Sequence, residues 1–169
     1  MGPALWQIHR RIRCVMSGAQ HSWHCFTWRF DNRKMAVGRI MLYSRSGQFM
    51  LVLLAALVDL SDRIPSKSEV EQHIEKQRYL KLTPELLSRA YDSKAESQWK
   101  TILAYARRNL IDRNFLEPLK VSDAWEISEK GTDRFHKFEQ NFKDGKFDIA
   151  RLDLLSDAFF RRMGVSPSN

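Results

Sequence analysis

Trp99 to Thr132 reads WKTILAYARRNLIDRNFLE (Trp99–Glu117), PLKVSD (Pro118–Asp123) and AWEISEKGT (Ala124–Thr132). Trp99, Ile102, Leu103, Ala106 and Leu110 recur at helical spacing, so a helix from about Gln98 to Asn114 buries that stripe. Phe115–Pro118 and Trp125–Ile127 read as two short strands, joined by a turn over Leu119–Asp123. In the second strand Trp125 and Ile127 point inward and Glu126 outward. Ser128 with Glu129 then opens another helix. A helix followed by a small hairpin is how a winged helix-turn-helix ends. The expected fold class is therefore mainly α (α+β winged helix-turn-helix): a helical bundle core with a small two-stranded wing and a C-terminal helical extension.

Working outward, Phe49 to Val58 is an unbroken apolar run that suits a central core helix. Asp62 and Arg63 end it, and Ile64-Pro65-Ser66 makes a turn. Ser66 or Ser68 caps the next helix, with Glu69 at the capping-box distance from Ser66. Val70 and Ile74 share its inner face, Tyr79 and Leu80 lie near its end, and Glu71, Gln72, Glu75 and Lys76 are expected wet. Thr83 before Pro84 and Glu85 marks a short helix. Asp92–Ser97 is a charged loop, with Ser97 as cap for the helix that follows. Beyond the hairpin, Phe135 and Phe138 face the core, and Phe142 and Phe147 extend the aromatic pattern. Ile149–Met163 reads as an amphipathic helix with Leu152, Leu155, Phe159 and Met163 in line. The expected organisation is a basic, poorly ordered arm over 1–45, a winged-helix domain over 46–142, and a helical extension with a frayed tail over 143–169.

The formal charge of +8 is unevenly spread. Residues 1–45 hold eight basic side chains and one acidic one, whereas residues 46–169 hold twenty and nineteen. Any attraction of the domain for nucleic acid must come from local clustering. The apolar run Phe49–Val58 is too short to span a bilayer, which needs about 20 residues, so no membrane partner is expected. The first residues lack the long apolar region of a secretory signal. Two cysteines, Cys14 and Cys25, do not make a disulfide framework. A cytoplasmic location follows as the expectation.

A duplex reader needs one element narrow enough for the major groove. The helix from Gln98 meets that requirement, with Gln98, Lys100, Thr101, Tyr105 and Arg108 on its polar side. Lys94 in the preceding loop, Lys67 and Ser68 at the start of the second helix, and Lys120 in the hairpin turn would contact the backbone. These nine residues are the candidate DNA-binding set. A charged face is also the ordinary condition of a surface helix, so the other reading is a protein-interaction or dimerisation module without DNA binding. Trp99 and Trp125 belong to the core. The C-terminal helix, with Phe159-Phe160 beside Arg161-Arg162, serves either a homodimer or packing within the chain. His21, His24, Cys25 and Cys14 match no well-specified zinc spacing. No phosphate loop, metalloprotease helix or nucleophile elbow is present, so neither a metal, a cofactor nor a catalytic activity is expected.

The span from about Phe49 to Phe135 resembles the N-terminal winged-helix domain of Mrr-type restriction system proteins. The motifs are L-V-L-L-A-A-L from Leu51, L-T-P-E-L-L at Leu82–Leu87, S-Q-W at Ser97–Trp99, the helix from Trp99 to Leu110, N-F-L-E from Asn114, and A-W-E-I-S-E-K-G from Ala124. The resemblance implies that Trp99 and the pair Tyr105-Ala106 support a recognition helix, and that Trp125–Gly131 closes the wing. It also implies a DNA-binding module, a regulator or an accessory to a DNA restriction or defence system. The family's nuclease domain is not expected in this sequence, because the tail after Phe135 holds no Glu-x-Lys pair on a plausible strand.

Overall fold

A computed structural model of the chain describes residues 42–88, 96–118 and 123–166. Among these, the helices are α1 (Arg45–Asp59), α2 (Lys67–Gln77), α3 (Pro84–Leu87), α4 (Gln98–Ile111), α5 (Glu129–Lys143) and α6 (Asp157–Arg162), with a 3-10 turn at Ile149–Arg151. Residues 1–41 of the expected N-terminal arm, with its His and Cys residues, lie outside the described residues, whereas at its end Leu42 is buried in the core and Arg45 already belongs to α1.

The first helix, α1, is the axis of the bundle. Ser44 caps it by accepting the Gly47 N–H at 3.0 Å, and every residue from Gly47 to Leu57 is buried. A helix apolar on all sides must be enclosed by others. Here α4 packs on it most extensively, and α2 and α5 also pack against it. Gln48 is the polar exception, and both ends of its amide are satisfied. Its Nε2 donates to Asp153 Oδ1 at 2.9 Å, and its Oε1 accepts the Leu154 N–H at 3.0 Å. Those bonds fasten the C-terminal segment to the core helix.

Local capping signals explain where the other helices begin. Ser66 and Glu69 form a reciprocal capping box on α2. Thr83 caps α3 with Pro84 at its first position. Ser128 Oγ accepts from Gly131 N–H at 3.0 Å at the start of α5 and donates to the Asn114 carbonyl at 2.8 Å. Ser97 stands at the cap position of α4 but makes no capping bond. That helix stops at Ile111, short of the expected Asn114. Asn114 adopts a left-handed conformation (φ 58°), which asparagine tolerates, and the Phe115 N–H returns to the Leu110 carbonyl at 2.9 Å.

Among the described residues there is no two-stranded wing, and the winged helix-turn-helix reading is corrected to a helical bundle. No described residue lies in a strand. What replaces the hairpin is one antiparallel bridge, Leu116 with Ile127, flanked by Glu117 N–H to Glu126 O (3.0 Å) and Ser128 N–H to Phe115 O (3.1 Å). Pro118 has no N–H with which to continue a ladder. Residues 123–125 turn instead to the α1–α2 linker. Trp125 N–H donates to Pro65 O at 2.9 Å, Lys67 N–H to Asp123 O at 2.7 Å, and Ala124 bridges Ser66. The expected turn falls on residues 119–122, outside those described.

The C-terminal segment is also not one continuous helix. Leu152, Leu155, Phe159 and Met163 are all buried in the same core as α1, as their spacing predicts. The backbone breaks because Leu155 bridges Leu80 and Lys81 N–H donates to Leu154 O at 2.8 Å. Ser156, whose hydroxyl also donates to the Arg78 carbonyl, then caps a fresh helix, α6. Arg162 fastens that helix to two others. Its Nε donates to Asp59 Oδ1 at 2.8 Å and its Nη1 to Glu139 Oε1 at 2.5 Å. Asp59 Oδ2 also accepts from Tyr79 Oη at 2.5 Å and lies 3.2 Å from His73 Nε2. Burial, then the bond to Asp59, pushes the Tyr79 phenol well above its ordinary range.

Candidate nucleic-acid interface

The geometry of α4 follows from its apolar stripe. Trp99, Leu103, Ala106 and Leu110 are buried, which turns the opposite side to solvent. Along that side Thr101 is half-buried, while Ala104, Tyr105 and Arg108 are exposed. Tyr105 is 61% exposed, one of few large apolar side chains in that condition among the described residues. A helix of this length extends about 21 Å. The exposed stripe occupies its middle turns.

The lysines expected beside this stripe are held by carboxylates. Lys100 Nζ lies 3.1 Å from Glu71 Oε2 and 5.4 Å from the Trp99 ring centre. Lys67 Nζ lies 2.6 Å from Glu96 Oε1 and 3.6 Å from Glu71 Oε1. The hydrogen bond to Glu96 raises the Lys67 ammonium above its ordinary range, outweighing the opposing effect of burial. Glu71 is therefore the centre of a Glu96–Lys67–Glu71–Lys100 chain that ties α2 to the start of α4. It is only 7% exposed, which corrects its expected place on the wet face. Its Oε1 is buried with no hydrogen-bond donor in reach, so the Lys67 charge at 3.6 Å is what compensates it.

The other expected contacts divide. Gln98 is half-buried and its Oε1 accepts from Arg45 Nη2 at 3.5 Å, while Arg45 Nη1 pairs with Glu85 at 3.1 Å. Ser68 is exposed on the first turn of α2, accepting from Gln72 at 3.3 Å. Lys94 and Lys120 lie outside the described residues. Thus Thr101, Tyr105 and Arg108 share one outward stripe, Lys67 and Lys100 are brought together around Glu71, and Gln98 is drawn toward α1 and α3. Arg107 was not among the expected contacts. It turns toward residues 123–125, with its guanidinium 5.5 Å from the Trp125 ring centre and Nη2 3.5 Å from the Ala124 carbonyl. Lys67 four residues before Glu71 was the available signal for the buried carboxylate. Nothing local announced Lys100 as its second partner.

Among the described residues no group of three His, Cys, Asp or Glu side chains is placed to hold a metal, and no helix is long and apolar enough to cross a membrane. The C-terminal phenylalanines Phe159 and Phe160 are buried within the chain. Without a strand pair, the wing and restriction-system features expected from the Mrr resemblance lose their structural basis. No family model, curated protein or solved structure matches the chain, so these comparisons identify no Mrr-type domain.

Proposed function

We propose that the chain is a non-catalytic nucleic-acid-binding module of the cytoplasm that engages duplex DNA with the outward side of α4. The observation that carries this reading is the exposed pair Tyr105 and Arg108, in line with half-buried Thr101, on a helix whose other side is locked into the core. Threonine, tyrosine and arginine all contact phosphates, and arginine also reads base edges. A rigid helix with such a stripe fits a major groove about 12 Å wide. Ser68, at the start of α2, adds a backbone contact. Lys67 and Lys100 contribute little net potential while Glu71 and Glu96 hold them. A homodimer formed through the C-terminal helix would use its exposed residues Asp157 and Arg161, since its phenylalanines are enclosed.

The test is a salt titration of duplex binding by fluorescence anisotropy. The full chain is compared with the double substitution Tyr105→Ala, Arg108→Ala. Removing one phosphate-contacting cation makes the plot of log affinity against log salt shallower by about 0.9, and overall affinity falls. A correctly folded double variant with unchanged affinity and slope refutes the assignment to α4.

A further inference from the structure

Two carboxylates share the lysines beside the start of α4, and they differ in access. The Glu71 side chain is enclosed, at 9% exposure, whereas that of Glu96 is 41% exposed. Glu71 is held from two sides, by Lys100 Nζ at 3.1 Å and Lys67 Nζ at 3.6 Å, and it ties α2 to α4. Glu96 stands before α4 and meets Lys67 Nζ more closely, at 2.6 Å, in a pair open to solvent. Taking away the Glu96 charge leaves Glu71 both of its lysines and makes the balanced set net positive. Lys100, which shares Glu71 with Lys67, precedes Thr101 at the head of the outward stripe of α4. The exposed pair therefore lies at one end of the face assigned to the duplex.

An exposed pair of this kind is weak, and a phosphate oxygen accepts from an ammonium as a carboxylate oxygen does. We propose that Glu96 makes an autoinhibitory contact: in the free chain it occupies the Lys67 ammonium, and a duplex phosphate displaces it when α4 docks. The inference rests on the DNA reading of α4. Glu71 stays in place throughout, because it is enclosed between the helices. The released Glu96 recruits a solvent cation in turn, so the exchange alters affinity more than it alters the salt slope.

A double-mutant cycle on the full chain tests it, read by the anisotropy of a short labelled duplex at one low salt concentration. Each variant is first shown by circular dichroism to keep the helix content of the parent. Glu96→Gln tightens binding about two- to fivefold. That gain disappears when Lys67→Gln is added, a change that leaves Glu71 its bond to Lys100 and an amide to replace the ammonium. Mere loss of a negative charge near the duplex would raise affinity by the same factor with or without Lys67. That additive result overturns the autoinhibitory role alone. So does unchanged affinity in folded Glu96→Gln while Tyr105→Ala, Arg108→Ala still weakens binding. Absence of duplex binding by the parent and Glu96→Gln alike overturns both this role and the DNA reading.

Discussion

Replacing Gly131 with alanine sets two effects of opposite sign against each other. Gly131 is the third residue of α5, where the general rule says that alanine stabilises a helix by roughly 0.5–1 kcal/mol. The surroundings reverse that. A Cβ built there falls 2.1 Å from the Phe115 carbonyl oxygen, 2.9 Å from Ile127 Cγ1 and 3.0 Å from the Phe115 carbonyl carbon. A carbon and a carbonyl oxygen rest at about 3.3 Å or more, so the Phe115 carbonyl must retreat by about 1 Å. That carbonyl accepts the Ser128 N–H at 3.1 Å beside the Leu116–Ile127 bridge. An unsatisfied buried donor costs about 1–3 kcal/mol, and overpacking about 1–3 kcal/mol more. Sterics therefore win, with a net destabilisation of about 1–5 kcal/mol. In urea denaturation, at slopes of about 1–3 kcal/mol/M, the midpoint of Gly131→Ala falls by at least about 0.3 M. Gly145→Ala is the control: φ is 65° but open space surrounds it, so only backbone strain of about 1–2 kcal/mol applies. A Gly131→Ala midpoint at or above that of the parent refutes the close approach.

Two other substitutions probe the charged clusters. Glu71→Gln removes the carboxylate that holds Lys100; because both lysines are partly exposed, the loss lies between an exposed and a fully buried pair, about 1–2 kcal/mol, read from the urea midpoint. On the DNA reading the same variant frees a cation beside the α4 stripe and steepens the salt slope by about 0.9; an unchanged slope counts against Lys100 lying near the bound duplex. Burial opposes the charge on Glu139, but hydrogen bonds from His136 and Arg162 outweigh it and hold the carboxyl below its ordinary range. A depressed folded-state value contributes stability above the unfolded value of about 4.3, which is lost as pH falls through the folded one. Urea midpoints from pH 7 to pH 3 should therefore drop more steeply for the parent than for Glu139→Gln, and parallel curves would remove Glu139 from the acid response.

Much of the helical framework is legible because its signals are local. Ser66 with Glu69, Thr83 with Pro84, and Ser128 before α5 each satisfy amides three residues on, and each marks a helix start. The Phe49–Val58 run and the Trp99–Leu110 stripe likewise report burial directly. The hairpin is not legible for the same kind of reason. Trp125–Ile127 is too short for alternation to separate a strand from an extended loop, and its pairing is decided by the distant Pro65–Lys67 linker. At the C-terminus, spacing correctly places Leu152, Leu155, Phe159 and Met163 in the core. It is silent about the backbone, which Leu80, Lys81 and Gln48 interrupt through long-range hydrogen bonds. In the candidate site, Tyr105 and Arg108 are read from the helix period alone. The fate of Lys100 depends on which helix lies beside it.

The near balance of twenty bases and nineteen acids over residues 46–169 includes specific internal pairs. Lys67 and Lys100 hold Glu71 and Glu96, and Arg162 holds Asp59 and Glu139. Pairs of this kind fix how helices meet more surely than they add net stability. They also bound what α4 can do electrostatically. Its stripe offers Arg108, with Lys100 second if Glu71 releases it, so binding through α4 carries a salt slope of about 1–2. The seven bases of residues 1–44, if they met phosphates, would carry a slope of up to about 6. The two sources differ severalfold in one measurable quantity, so the slope itself tells which part of the chain meets the duplex. A shallow slope that Tyr105→Ala, Arg108→Ala abolishes belongs to the helix, and a steep slope that survives this double substitution belongs to the basic N-terminal residues.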